Sequence, residues 1–268
     1  MSATVHTQRT YGHHHEAVAA IPDKRMVPTD LMLDVRTHIA EAAATNAVVI
    51  LIGRVGVGKT SAVASGLRAC VDDADHPTEA VVLEFTTEAK GKGLLEELYL
   101  RVLGVQPRPS MKAARLAADL RRGLAEQHRI LAVDDAQFVA PRALLTMALL
   151  CNKPETNFAL VLVGTPTLRR RLAPEIVSRA LIDYHAGGLA DDEVVGVLHS
   201  YHPLFETADP ARLVEWNKTH ARGEFRWWAK LLGRAWRLRD VIGNTLDPEL
   251  FEAATQDAPL GVPGERQR

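Results

Sequence analysis

One stretch of the chain decides the fold: Val48-Val49-Ile50-Leu51-Ile52-Gly53-Arg54-Val55-Gly56-Val57-Gly58-Lys59-Thr60. Its apolar first part is typical of a buried strand, and the rest fits the pattern G-x-x-x-x-G-K-[ST]. Glycines at these positions let the backbone turn tightly and point successive N–H groups at phosphate oxygens, and the helix that follows adds the positive end of its dipole. The stretch therefore predicts a strand, a phosphate-binding loop and a helix, in that order.

The side chains of this loop suit a nucleoside triphosphate with its metal. Lys59 supplies a positive charge for the phosphates, and Thr60 supplies a hydroxyl ligand for Mg²⁺. The alternative, a glycine-rich turn without a ligand, is disfavoured by the strand-like run that precedes the loop. We expect the nucleotide to contact Gly53, Val55, Gly56, Val57, Gly58, Lys59, Thr60 and Ser61.

Composition favours a folded, cytoplasmic protein. The 268 residues are 47% hydrophobic and carry a net charge of -1, which allows a full α/β core and a small second domain. The longest apolar runs, Val48 to Ile52 and Ala159 to Val163, fall short of the ~20 residues of a membrane helix. Cys70 and Cys151 are too few for a disulfide framework, and the first residues do not resemble a secretory signal. We therefore expect a reducing compartment and no membrane span.

Hydrophobic periodicity divides the chain into four parts. Strands alternate with helices over residues 29–188, which predicts a parallel sheet flanked by helices, as in P-loop NTPases. Residues 189–254 are helical only and predict a small lid. Residues 1–28 are interpreted as a flexible or loosely docked arm, in which His13-His14-His15 is a solvated run rather than a metal site, and residues 255–268 as a disordered tail.

Polar side chains follow two of the predicted strands. Asp134 and Asp135 come directly after Ile130-Leu131-Ala132-Val133, where Asp134 would hold the metal and Asp135 would act as the base or position the attacking water. Thr165 follows the next strand and would reach the γ-phosphate or that water. The alternatives are that Asp135 caps the following turn and that Thr165 is a turn former.

Taken together, several segments resemble the AAA+ ATPases that regulate DNA transposition, the TniB, TnsC and MuB type, which is related to IstB and to ExeA-like ATPases. The resemblance spans roughly Val27 to Trp236. Most members of this group carry Asp-Glu where this chain has Asp134-Asp135, so the shorter carboxylate predicts slower turnover with nucleotide binding retained. The segments that carry the resemblance are Val27-Pro28-Thr29, the phosphate loop, Val133-Asp134-Asp135-Ala136-Gln137, Val163-Gly164-Thr165-Pro166-Thr167-Leu168-Arg169, Ser178-Arg179 and Gly223-Glu224-Phe225-Arg226.

The resemblance implies roles for individual residues toward ATP, Mg²⁺ and DNA. Thr165 would be the first sensor of the γ-phosphate, and Arg226 the second sensor, carried on the lid. Arg179 would be an arginine finger that completes a neighbouring subunit's site, although a surface arginine in a salt bridge is an equal alternative. Lys90 and Lys92, on a glycine-containing loop, would contact DNA phosphates, the alternative being a solvated turn.

The resemblance also implies a function. The protein would form a homo-oligomer (a ring, spiral or filament) on duplex DNA with ATP between subunits, recruit and activate a transposase, and disassemble on hydrolysis. Two alternatives remain open at this point. One is a helicase loader or ExeA-like ATPase that acts on another protein, and the other is a small-molecule P-loop kinase.

Overall fold

A computed structural model describes residues 21–85, 91–242 and 245–256, without the side chains of Val241 and Ile242. These residues form two compact units. The first contains Met32–Gly53 and the described part of Lys59–Ala186. The second contains residues 21–31, the loop Arg54–Gly58 and the described residues from Gly187 onward.

The first unit is built on a five-stranded sheet in the order β2-β3-β4-β1-β5, in which every pairing is parallel. β1, β3 and β4 are buried along their whole length, because helices cover both faces of a parallel sheet. The predicted α/β fold is therefore confirmed. The strands are β1 Val48–Gly53, β2 Glu79–Glu84, β3 Arg129–Asp134, β4 Phe158–Gly164 and β5 Ala180–Ala186.

The helices of the first unit follow the predicted periodicity. In the first helix, Val35, Ile39 and Ala42 are buried, as their spacing on one face predicts. Gly66 of the second helix lies against it, and a Cβ at Gly66 would come within 2.8 Å of Ile39 Cδ1. The helices are α1 Asp30–Thr45, which begins in the second unit, α2 Lys59–Val71, α3 Gly91–Leu103, α4 Ala113–Glu126, α5 Pro141–Cys151, α6 Pro166–Arg171 and α7 Pro174–Val177.

The edge strand β5 was not predicted from the sequence. Its residues alternate between partly buried and exposed, and Leu181 and His185 face solvent. Tyr184 points the other way and donates a hydrogen bond to Asp34 Oδ2 at 2.7 Å. A strand covered on one face lacks the continuous apolar run by which β1, β3 and β4 can be recognised.

The second unit is an all-helical bundle around aromatic side chains. Trp228 and Phe205 are fully buried, and the rings of Trp216 and Phe251 stack with centroids 3.8 Å apart. No helix among the described residues is long and apolar enough to cross a membrane. The helices are α8 Val194–Tyr201, α9 Pro203–Glu206, α10 Pro210–Trp216, which continues into a π-helical turn over Asn217–Ala221, α11 Phe225–Ile242 and α12 Pro248–Gln256.

At both ends of the chain the structure differs from the prediction. Residues 21–28 were assigned to a flexible or loosely docked arm, but Ile21 is buried in the core of the second unit and Arg25 N–H donates to Tyr201 O at 2.9 Å. Residues 255 and 256 were assigned to a disordered tail, but they form the last turn of α12, whose Leu250 and Phe251 are buried. Both segments are held in place because apolar side chains, Ile21 in one and Leu250 and Phe251 in the other, pack into the core of the second unit. The rest of the arm, with His13 to His15, and residues 257–268 lie outside the described residues.

Candidate nucleotide-binding site

The phosphate loop connects β1 to α2 and depends on two glycines with positive φ. Gly56 has φ +89° and Gly58 has φ +105°, conformations that L side chains rarely adopt. Gly53 is also tightly packed, since a Cβ there would lie 2.8 Å from Ala186 Cβ. Lys59 Nζ donates to Gly53 O at 2.8 Å, so the ammonium group points back to the end of β1.

The other predicted loop residues differ in exposure. Val57 is buried, whereas Val55 and Ser61 are exposed. A nucleotide could therefore contact the exposed Val55 and Ser61 without any movement of these two residues. Val57 instead anchors the loop by its side chain and leaves its backbone for phosphate contact.

Thr60 and Asp134 meet at the end of the sheet, although 74 residues separate them in the chain. Thr60 Oγ1 donates to Asp134 Oδ2 at 2.7 Å, and Asp135 N–H donates to Asp134 Oδ1 at 2.8 Å. Burial raises the pKa of the Asp134 carboxyl above its usual value, and the hydrogen bond from Thr60 acts in the opposite direction. A hydroxyl beside a buried carboxylate is an oxygen donor set that fits Mg²⁺.

Asp135 follows with an unusual backbone conformation and an exposed side chain. Its φ of 49° and ψ of 39° place it in the left-handed region, which few residues other than glycine, asparagine and aspartate adopt. Its carboxylate makes no capping hydrogen bond to the following 3₁₀ turn. Instead, Asp135 Oδ1 accepts from Gln137 Nε2 at 2.8 Å.

Thr165 ends β4 and precedes α6, as its position after the apolar run predicts. Its side chain makes no capping hydrogen bond to α6. Its backbone N–H donates to Gln137 Oε1 at 3.2 Å. Gln137 therefore bridges Thr165 and Asp135. The sequence gave only a weak signal for a role of Gln137. That signal is an amide side chain two positions after Asp135.

A third carboxylate lies at the same end of the sheet. Glu84 is the last residue of β2 and pairs in register with Asp134. Burial raises the pKa of Glu84, and the charges of Asp134 and Asp135 raise it further. Glu84 was not predicted as a site residue. An acid at the end of a short strand resembles an ordinary surface residue until the order of the strands is known.

Arg179 is not brought to the phosphate loop. It is exposed, and its Nη1 donates to Glu175 O at 3.0 Å. Arg179 precedes β5, whose first residue, Ala180, pairs with Val48 at the start of β1, whereas the loop leaves the far end of β1 at Gly53. Six strand residues separate these ends, which corresponds to roughly 20 Å along the sheet.

Arg226 is the second residue of α11, within the second unit, to which the loop Arg54–Gly58 also belongs. The N–H of Arg226 donates to Gly56 O at 3.0 Å, and Arg54 Nη2 donates to Arg222 O at 2.6 Å. The Arg226 side chain is exposed. The loop is thus hydrogen-bonded to the segment that carries the predicted second sensor.

The predicted DNA contacts are described only in part. Lys92 lies in the first turn of α3, where its Nζ is 3.0 Å from Glu96 Oε1 and donates to Pro109 O at 2.9 Å. The Lys92 ammonium group is therefore paired with Glu96 and a backbone oxygen of the same chain. Lys90 lies outside the described residues.

Comparison with known proteins supports this architecture. Residues 42–172 match the model of a family described as AAA domain. This range contains the phosphate loop, the two aspartates and Thr165. No curated protein sequence matches the chain.

Solved structures with the same fold cover most of the chain. The Aeropyrum pernix ORC2 protein in its ADP form is 15% identical with a TM-score of 0.66, over 91% of this chain and 72% of that chain. The Aeropyrum pernix ORC1 protein in complex with DNA is 15% identical with a TM-score of 0.65, over 90% and 68%. The Thermotoga maritima RuvB Holliday junction branch migration motor is 16% identical with a TM-score of 0.54, over 85% and 68%. With its parallel sheet, phosphate loop and C-terminal helices, the chain has the P-loop fold of the AAA+ ATPases.

Proposed function

We propose that this protein is a Mg²⁺-dependent ATPase that assembles on duplex DNA and regulates transposition by recruiting a transposase. The observation that carries the ATPase part is the 2.7 Å hydrogen bond from Thr60 to Asp134, which sets the loop hydroxyl against a buried strand-end acid. Such a pair is suited to holding a magnesium ion beside the phosphates of a nucleotide.

Each loop and strand-end residue has a distinct role in this proposal. Lys59 and the backbone N–H groups of the loop bind the phosphates, and Thr60 and Asp134 hold the metal. When bound, Mg²⁺ neutralises negative charge on the phosphate oxygens. Asp135 positions the attacking water from its exposed site at the end of β3, and Thr165 contacts the γ-phosphate from the end of β4.

Oligomerisation is inferred from the position of Arg179. Because it lies at the end of the strands opposite to the end from which the loop leaves β1, it cannot serve the site of its own subunit without a large rearrangement. An exposed arginine there is available to a neighbouring subunit, where it would stabilise charge that develops during hydrolysis. Arg226, whose own N–H is hydrogen-bonded to Gly56 O, would couple the nucleotide state to α11.

The DNA and transposase parts of the proposal rest on different support. ORC1 from Aeropyrum pernix was solved in complex with DNA, which makes nucleic acid a reasonable ligand for this fold. The net charge of -1 requires a local basic surface, for which Lys90 and Lys92 are the candidates. The transposase rests on the resemblance of the sequence segments to TniB, TnsC and MuB proteins.

The test compares Lys59→Ala with Lys153→Ala, a control in an exposed turn after α5. Electron microscopy would examine each protein with duplex DNA and either a non-hydrolysable ATP analogue or ADP. We expect the parent and the control to form analogue-dependent assemblies on DNA, and Lys59→Ala to form none. Analogue-dependent assemblies of Lys59→Ala equal to those of the parent would contradict the proposal.

The partner is tested separately by affinity capture. The protein assembled on DNA would be mixed with the integrase-type transposase encoded nearest to its gene, or with a replicative helicase. Retention of the transposase supports the proposal. Retention of the helicase alone would replace transposition with helicase loading.

A further inference from the structure

We propose that Gln137 is a positioning residue that holds the water-directing carboxylate of Asp135 at a fixed place relative to the sensor Thr165. This inference rests on the proposed ATPase function and adds to it a residue to which the sequence assigned no role. Gln137 would act through its two neighbours and would not contact the nucleotide.

Both the nitrogen and the oxygen of the Gln137 side-chain amide form hydrogen bonds. Nε2 donates to Asp135 Oδ1 at 2.8 Å, and Oε1 accepts from Thr165 N–H at 3.2 Å. A carboxylate only accepts and a backbone N–H only donates, so one amide orientation satisfies both partners. Among side chains of this length, glutamine alone provides a donor and an acceptor in this way.

Three further features hold Gln137 in place. The residue is 9% exposed, so water competes little for its hydrogen bonds. Its main-chain oxygen accepts from the Arg171 guanidinium at the end of α6. Gly164 allows the close approach of the amide, since a Cβ at Gly164 would lie 2.6 Å from Gln137 Oε1.

The bridge joins two strand ends that have different tasks in the proposed reaction. Asp135 follows β3 in a left-handed conformation, and Thr165 follows β4. Without the bridge, the exposed Asp135 side chain can rotate away, and misplacement of a water-directing group by about 1 Å is enough to slow a reaction strongly. Asp135 has a shorter side chain than the glutamate that most members of the group carry here. Because it reaches less far, the direction of its carboxylate matters more for placing the water.

Gln137→Leu is the first test, because leucine removes both hydrogen bonds and keeps a similar volume. We expect kcat for ATP hydrolysis to fall about 10- to 100-fold, the usual cost of losing an orienting partner. KM and the Kd for MgATP should change little, because Gln137 does not contact the nucleotide. Gln127→Leu, which alters an exposed glutamine at the end of α4, is the matched control and should leave kcat unchanged.

A double-mutant cycle with Asp135→Asn separates positioning from a general structural effect. If Gln137 acts through Asp135, adding Gln137→Leu to Asp135→Asn should lower kcat by less than threefold. A fall equal to that of Gln137→Leu in the parent protein would overturn the inference, as would an unchanged kcat of the Gln137→Leu single variant.

Gln137→Glu covers the case in which the leucine variant does not fold. Glutamate keeps the acceptor for Thr165 N–H but replaces the donor to Asp135 with a negative charge, so kcat should again fall about 10- to 100-fold with MgATP binding retained. Parent-like kcat in this variant would overturn the inference. A parent protein that hydrolyses no ATP would instead refute the proposed function, which keeps the two failures distinguishable.

Discussion

The two compact units use buried polar side chains for opposite purposes. In the first unit, Asp134 and Gln137 are buried at the ends of strands and their polar atoms face other side chains of the proposed site. In the second unit, Asn217 is even more deeply buried, but it donates to Leu189 O and accepts from Trp228 Nε1, which fixes the course of the chain. The comparison teaches that the partners of a buried polar group separate the two cases: Asp134 and Gln137 bond to side chains at the carboxyl end of the sheet, whereas Asn217 bonds to a backbone oxygen and to a core indole.

The largest expected effect is a loss of stability when the core of the second unit is changed. Trp228→Ala removes a fully buried indole and leaves Asn217 Oδ1 without its donor, so the free energy of unfolding should fall by about 3–5 kcal/mol. Denaturant unfolding measures this loss. Trp236→Ala, at a half-buried position, should cost clearly less. Equal losses in the two variants would mean that Trp228 is not the centre of this core.

In the first unit, a change at Asp134 should affect turnover and spare stability. Asp134→Asn keeps the size of the side chain but removes the charge that would hold Mg²⁺, so kcat should fall by about 100-fold or more. Steady-state kinetics at saturating MgATP measures this. A kcat within a few-fold of the parent value would show that another residue holds the metal.

The same variant carries a pH prediction for the nucleotide-free protein. Burial raises the pKa of Asp134, so between its usual and its raised pKa the folded protein holds a proton that the unfolded chain has lost. Stability contributed by this group therefore falls as the pH rises through that window. Asp134→Asn should lose this part of the pH dependence and be at least as stable as the parent at pH 7, as thermal melts from pH 4 to pH 7 would test.

Two glycines of the second unit should respond in opposite directions. Gly56→Ala forces a side chain into φ +89° with Arg226 Cβ 3.2 Å from the new Cβ, which should cost roughly 1–2 kcal/mol and weaken MgATP binding. Gly196→Ala adds a methyl group to α8 where no atom lies within 4 Å, and should stabilise the helix by up to about 1 kcal/mol. Unfolding curves and MgATP titrations of both variants check the contrast. Destabilisation by Gly196→Ala, or an unchanged stability of Gly56→Ala, would contradict the prediction.

The smallest effect is a pH response of His202 in the second unit. Its Nδ1 accepts from Leu204 N–H and its Nε2 donates to Pro22 O, which requires a neutral ring, and burial lowers its pKa below the usual 6.5. The unfolded chain binds the proton first, so stability is complete above pH 6.5 and falls as the pH falls below it. His202→Asn keeps an acceptor for Leu204 and should flatten this part of the profile. Parallel profiles of the two proteins between pH 7 and pH 5 would contradict the assignment.

The sequence predicted the strands at the centre of the sheet and the turn that follows β1, for physical reasons. Strands buried on both faces, such as β1 and β4, appear as uninterrupted apolar runs, and a phosphate loop needs glycines at fixed positions. The edge strand β5 lacks such a run and was missed, and α12 extends two residues beyond the predicted end of the helical lid at residue 254. A strand that is covered on one face only shows a short alternation of partly buried and exposed residues, which is a weaker signal than a continuous apolar run.

The places of Glu84 and Gln137 in the site could not be predicted from the sequence. Glu84 approaches the site because β2 lies beside β3, and Gln137 bridges Asp135 to Thr165 because β4 lies next. Parallel pairing brings these ends together across gaps of tens of residues, for which a single sequence carries no local signal. The same limit explains why the position of Arg179 relative to the loop emerged only from the register of β5 on β1.

Calorimetric titration of the purified protein with ATP, in excess Mg²⁺ and in excess EDTA, tests the central claim most directly. If Lys59, Thr60 and Asp134 form a magnesium nucleotide site, the parent protein should bind ATP more tightly with Mg²⁺ than without it, and Asp134→Asn should lose most of that difference. No measurable ATP binding by the parent, or equal affinity of the parent with Mg²⁺ and with EDTA, would contradict the account.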